Sequence, residues 1–305
     1  MCCLFGFVDY AGSLSVKQKG RLIRELSIAA EARGTDATGI AYNTSRGLQI
    51  YKRPLAAHRL HLRIPAEAHV VLGHTRMATQ GSAKKNYNNH PFCGRVKGES
   101  FALAHNGVLW NDLELRHTKH LPRTKVQTDS YIAIQLIEQQ KSLDFSSLRY
   151  TAEAVEGSFS FTVLSEQDDL YLIKGDSPLN IVHFPKVGVY AYASTAEILN
   201  KALARCGNWL GRGEKVDIAM GDIVKIDSNG RITRGTFDAS NLYRSSWGYW
   251  DMPLYPKVPH SEEEHLALLK SVSKAFGFTE EMIDRLLEQG FSTDDIEEIL
   301  YEGAW

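Results

Sequence analysis

The sequence is short of almost every feature that marks a membrane, secreted or nucleic-acid-binding protein. No run approaches the ~20 consecutive apolar residues that a membrane span requires. The opening Met1-Cys2-Cys3-Leu4-Phe5-Gly6-Phe7-Val8-Asp9 has no basic stretch ahead of an apolar one and meets an acid at Asp9, so no secretory leader is expected. Cysteine is scarce. There are four in 305 residues, Cys2 and Cys3 adjacent and Cys93 and Cys206 isolated, which makes no disulfide framework and fits a reducing cytoplasm. Neither sign of charge is in excess, with 35 Lys and Arg against 36 Asp and Glu, which argues against nucleic acid or a membrane surface as a partner held by bulk electrostatics. Also missing are a Gly-x-x-x-x-Gly-Lys phosphate loop, a Gly-x-Gly-x-x-Gly fingerprint and a Ser-Gly-Gly-x-Asp-Ser pyrophosphatase loop. His74, His90, His105 and Cys93 follow no known metal-ligand spacing, so neither a cofactor nor a metal is expected.

What is present suits a globular chain with one large domain and an appendage: 43% hydrophobic and 23% charged residues. Residues 2–9 read as an apolar strand. Residues 16–32 have helical spacing, with Leu22, Ile23, Leu26, Ile28 and Ala29 on one side. Strands are expected at 40–42, 48–51, 69–72 and 101–105, and a loop over 73–92, which is rich in Gly, Asn, Ser and Thr. A helix is expected over 128–139, capped by Thr128 or Asp129. Strands follow at 159–164, 170–174, 181–184 and 189–193, then a hairpin of 223–226 with 231–233 about Asn229-Gly230. Without strict βαβ alternation, this order favours α+β layers. Three segments result: a main domain at 2–240, a connector at 241–260 in which Tyr243, Trp247, Tyr249, Trp250 and Tyr255 alternate with prolines, and a small helical module at 261–305 with helical patterns at 262–276, 280–289 and 293–302.

The candidate chemistry begins at Cys2. Taken alone, it reads as a small apolar residue opening a buried strand. Removal of Met1, which a small second residue permits, would give one residue both a thiol and a free α-amine. That amine has a pKa of about 7.7–8.0, against about 10.4 for lysine, so it can act as a base near neutral pH on its own nucleophile. Downstream, Gly73-His74-Thr75-Arg76-Met77-Ala78-Thr79-Gln80-Gly81 places an arginine suited to a carboxylate in a glycine-bounded loop. Asn88-Asn89-His90-Pro91 follows. His105-Asn106-Gly107 ends a strand with a side-chain amide beside a glycine N–H, two donors for a developing oxyanion. Gln127-Thr128-Asp129 sets a carboxylate at a helix start, where it could receive an ammonium group.

These motifs resemble those of the class II glutamine amidotransferases, which are N-terminal-nucleophile hydrolases, and in particular the glutaminase domains of glucosamine-6-phosphate synthases and amidophosphoribosyltransferases. The family's Met-Cys-Gly-Ile-Phe-Gly is similar to Met1 to Gly6, and its Arg-Gly-x-Asp-(Ala/Ser)-x-Gly-Ile-Ala matches the segment from Arg33 to Ala41. Gly-His-Thr-Arg-Trp-Ala-Thr-x-Gly resembles Gly73 to Gly81, Asn-x-His-Pro resembles Asn88 to Pro91, and His-Asn-Gly matches His105 to Gly107. Looser similarity continues to about Thr236. The resemblance implies a four-layer αββα sandwich over residues 2–240. It implies attack by Cys2 on the side-chain amide of L-glutamine, with Asn106 and the Gly107 N–H as the oxyanion hole. Arg76 would clamp the α-carboxylate and Asp129 the α-ammonium, Thr79 would contribute to the pocket, and His90 would support the loop. A γ-glutamyl thioester, ammonia and glutamate follow. Arg33 and Asp36 read as a structural pair, and His74 and His105 as loop-orienting residues.

Three positions depart from the family pattern. Cys3 stands where glycine is usual and would crowd the residue after the nucleophile; Met77 replaces a frequent Trp and Gln80 a frequent His in the covering loop. The roughly 70 residues after Thr236 are too few for a synthase fold, so an ammonia-accepting synthase protein is the expected partner. Leu286-Leu287-Glu288-Gln289-Gly290-Phe291 is similar to a short stretch of ubiquitin-associated-type modules. Two other functions use the same residues: an N-terminal-nucleophile amidase acting on a non-glutamine amide, and a non-catalytic glutamine-sensing or assembly module.

Overall fold

The first strand sets the architecture. In the computed structural model, which describes residues 2–240, 242, 266, 270, 278–293 and 296, β1 (Cys3–Asp9) is buried along its whole length. Side chains alternate across a strand. Cys3, Phe5 and Phe7 therefore face one apolar cluster while Leu4 and Val8 face another. A strand wetted on neither face reads as an unbroken apolar run, as this one does from Cys3 to Val8, with Asp9 at its end buried beside Lys19.

The strands β2 (Ala37–Thr44), β3 (Gly47–Arg53) and β4 (Val70–Arg76) join β9 (Asn180–Phe184), β10 (Val189–Ala193) and β11 (Glu214–Val216) around it. The resulting seven-stranded sheet has the order β11-β9-β10-β1-β4-β2-β3. A second sheet is formed by β5 (Phe92–Val96), β6 (Glu99–Leu109), β7 (Gly157–Ser165), β8 (Leu170–Lys174), β12 (Asp222–Ile226) and β13 (Ile232–Thr236), in the order β13-β12-β8-β7-β6-β5. Strand pairings among the described residues are antiparallel in both sheets.

Helices cover the outer faces. On the first sheet lie α1 (Val16–Ala30) and α5 (Ala196–Cys206), where Leu22, Ile23, Leu26, Ile198 and Leu199 meet Phe5 and Phe7. On the second lie α3 (Tyr131–Gln140) and α4 (Phe145–Ala154), with Ile132, Leu136 and Leu148 against Leu103, Phe159 and Phe161. Between the sheets, Leu4, Val8, Val70 and Leu72 pack on Ala102, Ala104, Leu172 and Val224. The expected four-layer αββα sandwich is the observed one. Each fully buried Phe or Leu contributes about 1.5–3 kcal/mol, so these three apolar layers hold the fold.

Several boundaries differ from the sequence reading. The strand expected at 69–72 runs on to Arg76, because Thr75 pairs with Cys3 on one side and Thr38 on the other; Arg76 is thus the last residue of a central strand rather than part of the loop. The helix expected from 128 begins at Tyr131, and neither Thr128 nor Asp129 caps it. Asp129 instead accepts the Leu109 N–H at 2.6 Å. The helices α2 (Asp112–Thr118), α4 and α5 have no counterpart among the sequence expectations, although Asp144 with Ser147 is a full capping box and Thr195 caps α5.

The chain divides into two compact units, residues 1–245 and 246–305. The aromatic and proline-rich stretch at 241–260 lies outside the described residues apart from Leu242, as do most of 262–276 and 293–302. In the second unit a helix spans Glu280–Glu288, capped by Thr279, and Ile283 packs with Ile296 beside Leu266, Phe278, Leu286 and Leu287. No helix among the described residues is long and apolar enough to cross a membrane.

Candidate active site

Cys2 precedes β1 and is 8% exposed. Strand alternation turns Cys3 to the helix side, where its side chain is fully buried among Phe5, Phe7 and α1, away from the side of Cys2. The crowding expected of Cys3 therefore falls on the outer layer and not on the thiol. The Cys2 Sγ lies 3.5 Å from the Met77 carbonyl oxygen, so the chain segment after β4 crosses over it. Burial pushes the Cys2 thiol above its ordinary pKa, against the pull of a backbone hydrogen bond at Met77 and of the Arg76 cation. The resting sulfur is therefore a thiol, and it needs a base at the moment of attack.

Arg33 joins the nucleophile to the candidate oxyanion donor. Its Nε donates to the Cys2 carbonyl at 2.9 Å and its Nη2 to the Asn106 Oδ1 at 3.5 Å. A guanidinium can only donate, which fixes the Asn106 amide with its oxygen towards Arg33 and its NH2 away. That NH2 is buried, in a residue only 1% exposed, and has no hydrogen-bond partner. An orphaned buried donor costs about 1–3 kcal/mol, and such groups concentrate where a ligand completes the set. Gly107 follows at φ +141°, where a Cβ would stand 1.9 Å from the Ser158 carbonyl oxygen, so the backbone next to Asn106 admits glycine alone.

Arg76 is 2% exposed. Its Nη1 donates to Asn89 Oδ1 at 2.7 Å, and its Nη2 to the carbonyls of Gln80 at 2.5 Å and Gly81 at 2.8 Å. Three of its five N–H groups thus hold the loop that follows it. Asp36 holds the same loop from the other side: its backbone N–H donates to the Arg76 carbonyl at 2.9 Å, and its Oδ2 accepts the Ala78 N–H at 2.8 Å. Met77, gripped between these two bonds, is 50% exposed by its side chain. Gly34 lies beneath, where a Cβ would come within 2.6 Å of the Arg76 and Met77 backbone. Thr79 and Gln80 are exposed. The loop continues through Asn88, whose side chain is tied to Gln127 by an N–H···O bond in each direction at 2.9 and 3.1 Å.

Asp129 is buried, and charge from it reaches both Arg76 and Cys2. Its Oδ1 lies 3.3 Å from Ser130 Oγ, and that hydroxyl lies closer, 2.8 Å, to His105 Nδ1. His105 Nε2 donates to the Ser158 carbonyl at 3.3 Å, which leaves Nδ1 as the acceptor for Ser130. His74 Nε2 donates to the His105 carbonyl at 3.0 Å and so stitches β4 to β6 across the sandwich. His90 packs at a tilt against His74 at 4.2 Å and Phe92 at 4.4 Å between ring centres, and neither of its nitrogens has a partner. Burial holds all three imidazoles neutral: His74 falls to about 3 and His90 goes well below its ordinary value. Among the described residues no group of three or more His, Cys, Asp or Glu side chains is placed to hold a metal ion.

The structure thus brings Cys2, Asn106, Arg76 and Asp129 into one electrostatic neighbourhood, leaves Thr79 on the exposed loop and seats His90 in an apolar and imidazole cluster behind Arg76. Arg33 and Asp36 were read as a structural pair. Their contacts with Cys2, Asn106 and Ala78 make them part of the site's frame, a role signalled by their shared Arg-Gly-x-Asp motif. Ser130 gave no signal in the sequence. Two surface depressions, of about 530 and 180 Å³, lie elsewhere, one lined by Phe184, Asn208 and Lys215 and the other by Lys97, Ser142 and Tyr171.

Comparison with known proteins bears on the family and the fold. The family model described as glutamine amidotransferases class-II matches residues 1–166. The glutamine–fructose-6-phosphate aminotransferase (isomerizing) of Bacillus anthracis is 33% identical over 188 residues, covering 59% of this chain and 30% of the relative. Its namesake from Thermus thermophilus is 32% identical over 189 residues, covering 59% and 29%. The chain therefore spans about 30% of the length of these curated relatives. Among solved structures, the glutamine phosphoribosylpyrophosphate amidotransferase of B. subtilis, complexed with ADP and GMP, superposes with a TM-score of 0.60 at 17% identity, covering 78% of this chain and 49% of that one. An allosteric regulatory enzyme of purine biosynthesis gives 0.62 at 17% identity, covering 90% and 57%.

Proposed function

The chain belongs to the class II glutamine amidotransferases, and on that premise we propose that it hydrolyses the side-chain amide of L-glutamine with Cys2 as nucleophile. Removal of Met1 frees the Cys2 α-amine. That amine takes the thiol proton as sulfur attacks the amide carbon, and the α-amine's neutral-range pKa suits a thiol that burial has kept protonated. Negative charge gathers on the amide oxygen, where the Asn106 NH2 and the Gly107 N–H receive it. As the intermediate collapses, the amine returns its proton to the departing nitrogen and ammonia leaves. Water, deprotonated by the same amine, then attacks the γ-glutamyl thioester to release glutamate and restore the thiol. Arg76 takes the α-carboxylate and Asp129 the α-ammonium, with Thr79 closing the pocket from the loop and His90 backing it. The ammonia passes to an acceptor synthase.

The observation that carries this reading is the buried, partnerless Asn106 NH2, oriented by the same guanidinium that touches the Cys2 carbonyl. The test is ammonia release from L-glutamine by protein whose intact mass shows Met1 gone. Turnover lost in Cys2→Ala supports the proposal; no turnover in the processed protein, or equal turnover in Cys2→Ala, ends it. A sensing role gains from one feature, the engagement of Arg76 by its own loop carbonyls. Glutamine binding by calorimetry without covalent labelling of Cys2 by a glutamine-like electrophile would select that role instead.

A further inference from the structure

Lys52 lies on β3, the edge strand of the first sheet, yet its ammonium is turned inward. Its Nζ donates to the Asn89 carbonyl at 2.5 Å and to the Pro91 carbonyl at 2.9 Å, gripping the chain on both sides of His90. The backbone carbonyl of Lys52 in turn accepts from Asn86 Nδ2 at 2.9 Å, so one residue holds the segment 86–91 at three points. The ammonium also lies 5.0 Å from the centre of the Phe92 ring. Asn89, the residue so fixed, presents its Oδ1 to Arg76 Nη1 and donates its NH2 to the Ala83 carbonyl and to Asn86 Oδ1. An amide whose backbone and NH2 are both tethered holds its oxygen in one place, and that oxygen sets the plane of the Arg76 guanidinium.

The titratable groups facing Lys52 are Arg76 and His74 from β4, His90 from the segment it grips, and the Cys93 thiol from β5; of these only Arg76 is charged near neutral pH. The carbonyl partners of Lys52 are neutral, so a cation has been placed beside another cation with only dipoles and a ring to stabilise it. Burial, with Arg76 adding to it, draws the Lys52 pKa down to about 8. A surface lysine would show none of this.

We infer that Lys52 is a positioning residue for recognition of the amino-acid end of the substrate: acting through Asn89, it orients Arg76 to receive the α-carboxylate. The inference rests on Arg76 as the carboxylate clamp of the function proposed above. Lys52 touches neither the sulfur nor the oxyanion donors, so its loss acts on binding rather than on chemistry.

The test uses the full chain with Met1 removed. In Lys52→Met, which keeps the unbranched stem and loses the terminal donors, KM for L-glutamine rises at least tenfold while kcat changes less than about threefold. Labelling of Cys2 by 6-diazo-5-oxo-L-norleucine, which carries the α-carboxylate, slows by the same factor as KM rises; labelling by iodoacetamide, which carries none, is unchanged. In an Asn89→Ala background, Lys52→Met adds nothing further to KM. The unmutated protein gives a reading that needs no Lys52→Met variant to fold. KM rises above about pH 8 as Lys52 loses its proton, and Lys52→Arg, whose guanidinium stays charged, lacks that rise. The inference is overturned by KM within twofold of the unmutated value in folded Lys52→Met, by kcat and iodoacetamide labelling falling together with affinity, by effects of Lys52→Met and Asn89→Ala that simply add, or by identical pH profiles for the unmutated protein and Lys52→Arg. If the unmutated protein neither turns over glutamine nor reacts with the diazo reagent, the glutamine reading itself fails and takes this inference with it.

Discussion

In the proposed reaction, Asn106 is the side chain on which the chemistry turns. Removing an oxyanion donor of this kind lowers kcat by about 10²–10³-fold, so Asn106→Ala is expected to lose that much in steady-state glutaminase assays with KM changed little. Arg33→Met, which frees the amide to flip, should lose kcat in the same direction by a smaller factor. Equal KM and kcat for Asn106→Ala and the unmutated protein would remove the residue from the mechanism. Gly107→Ala has a different outcome: with φ at +141° and a Cβ driven into the Ser158 carbonyl, it should cost several kcal/mol and appear first as a lowered melting temperature. At this scale the sequence supplied the candidates. Cys2, Arg76, Asn106, Gly107 and Asp129 are residue types whose chemistry announces them once they stand in motif order. Lys52 and Ser130 were not legible, because a lysine in a strand and a serine before a helix carry no mark of what they will face across a fold.

The element that lies against the Cys2 sulfur is the segment after β4. Asp36 pins it by two bonds, one on each side of Met77, and Arg76 pins it by two more at Gln80 and Gly81. In Asp36→Ala the Ala78 N–H loses its acceptor, the cover over the sulfur loosens, and alkylation of Cys2 by iodoacetamide in the absence of glutamine should quicken several-fold. An unchanged rate would mean that the loop needs no latch at Asp36. The sequence reading placed Arg76 inside a glycine-bounded loop, since the stretch 73–92 is rich in Gly, Asn, Ser and Thr. Composition misled because strand pairing, with Cys3 on one side and Thr38 on the other, extends β4 through His74 and Thr75, and no local pattern reveals pairings made by partners some 30 to 70 residues away. The missed helices α4 and α5 are a different case. Asp144 with Ser147, and Thr195, are start signals standing in plain view, and helical periodicity ahead of them would have been enough.

The whole sandwich carries an acid sensitivity. His74 and His90 are buried neutral between the two sheets, while in the unfolded chain each titrates near 6.5. The unfolded state therefore binds more protons below that value. Stability is fully present above about pH 6.5 and is lost as pH falls, down to about 3 for His74, by up to about 1.4 kcal/mol per pH unit for each ring. Urea midpoints should fall between pH 7 and pH 5, and the slope should flatten in His90→Leu, which replaces a ring with two unpartnered nitrogens by an apolar side chain of similar size. A midpoint independent of pH over that interval would show that the rings are not held neutral by the fold. The layering itself was legible, because strands dominate and helices intervene irregularly, while the four-layer arrangement came from the family resemblance.

The central place of β1 also sets a timetable. One of its flanking strands, β10, lies near residue 190 of the chain, so the groove that receives the first nine residues cannot close until that stretch has left the ribosome. At about 5–20 residues per second, the amino end waits in water for on the order of ten seconds or more. The trimming of Met1 that the proposed function requires would fall in that interval, before β10 is there to flank β1.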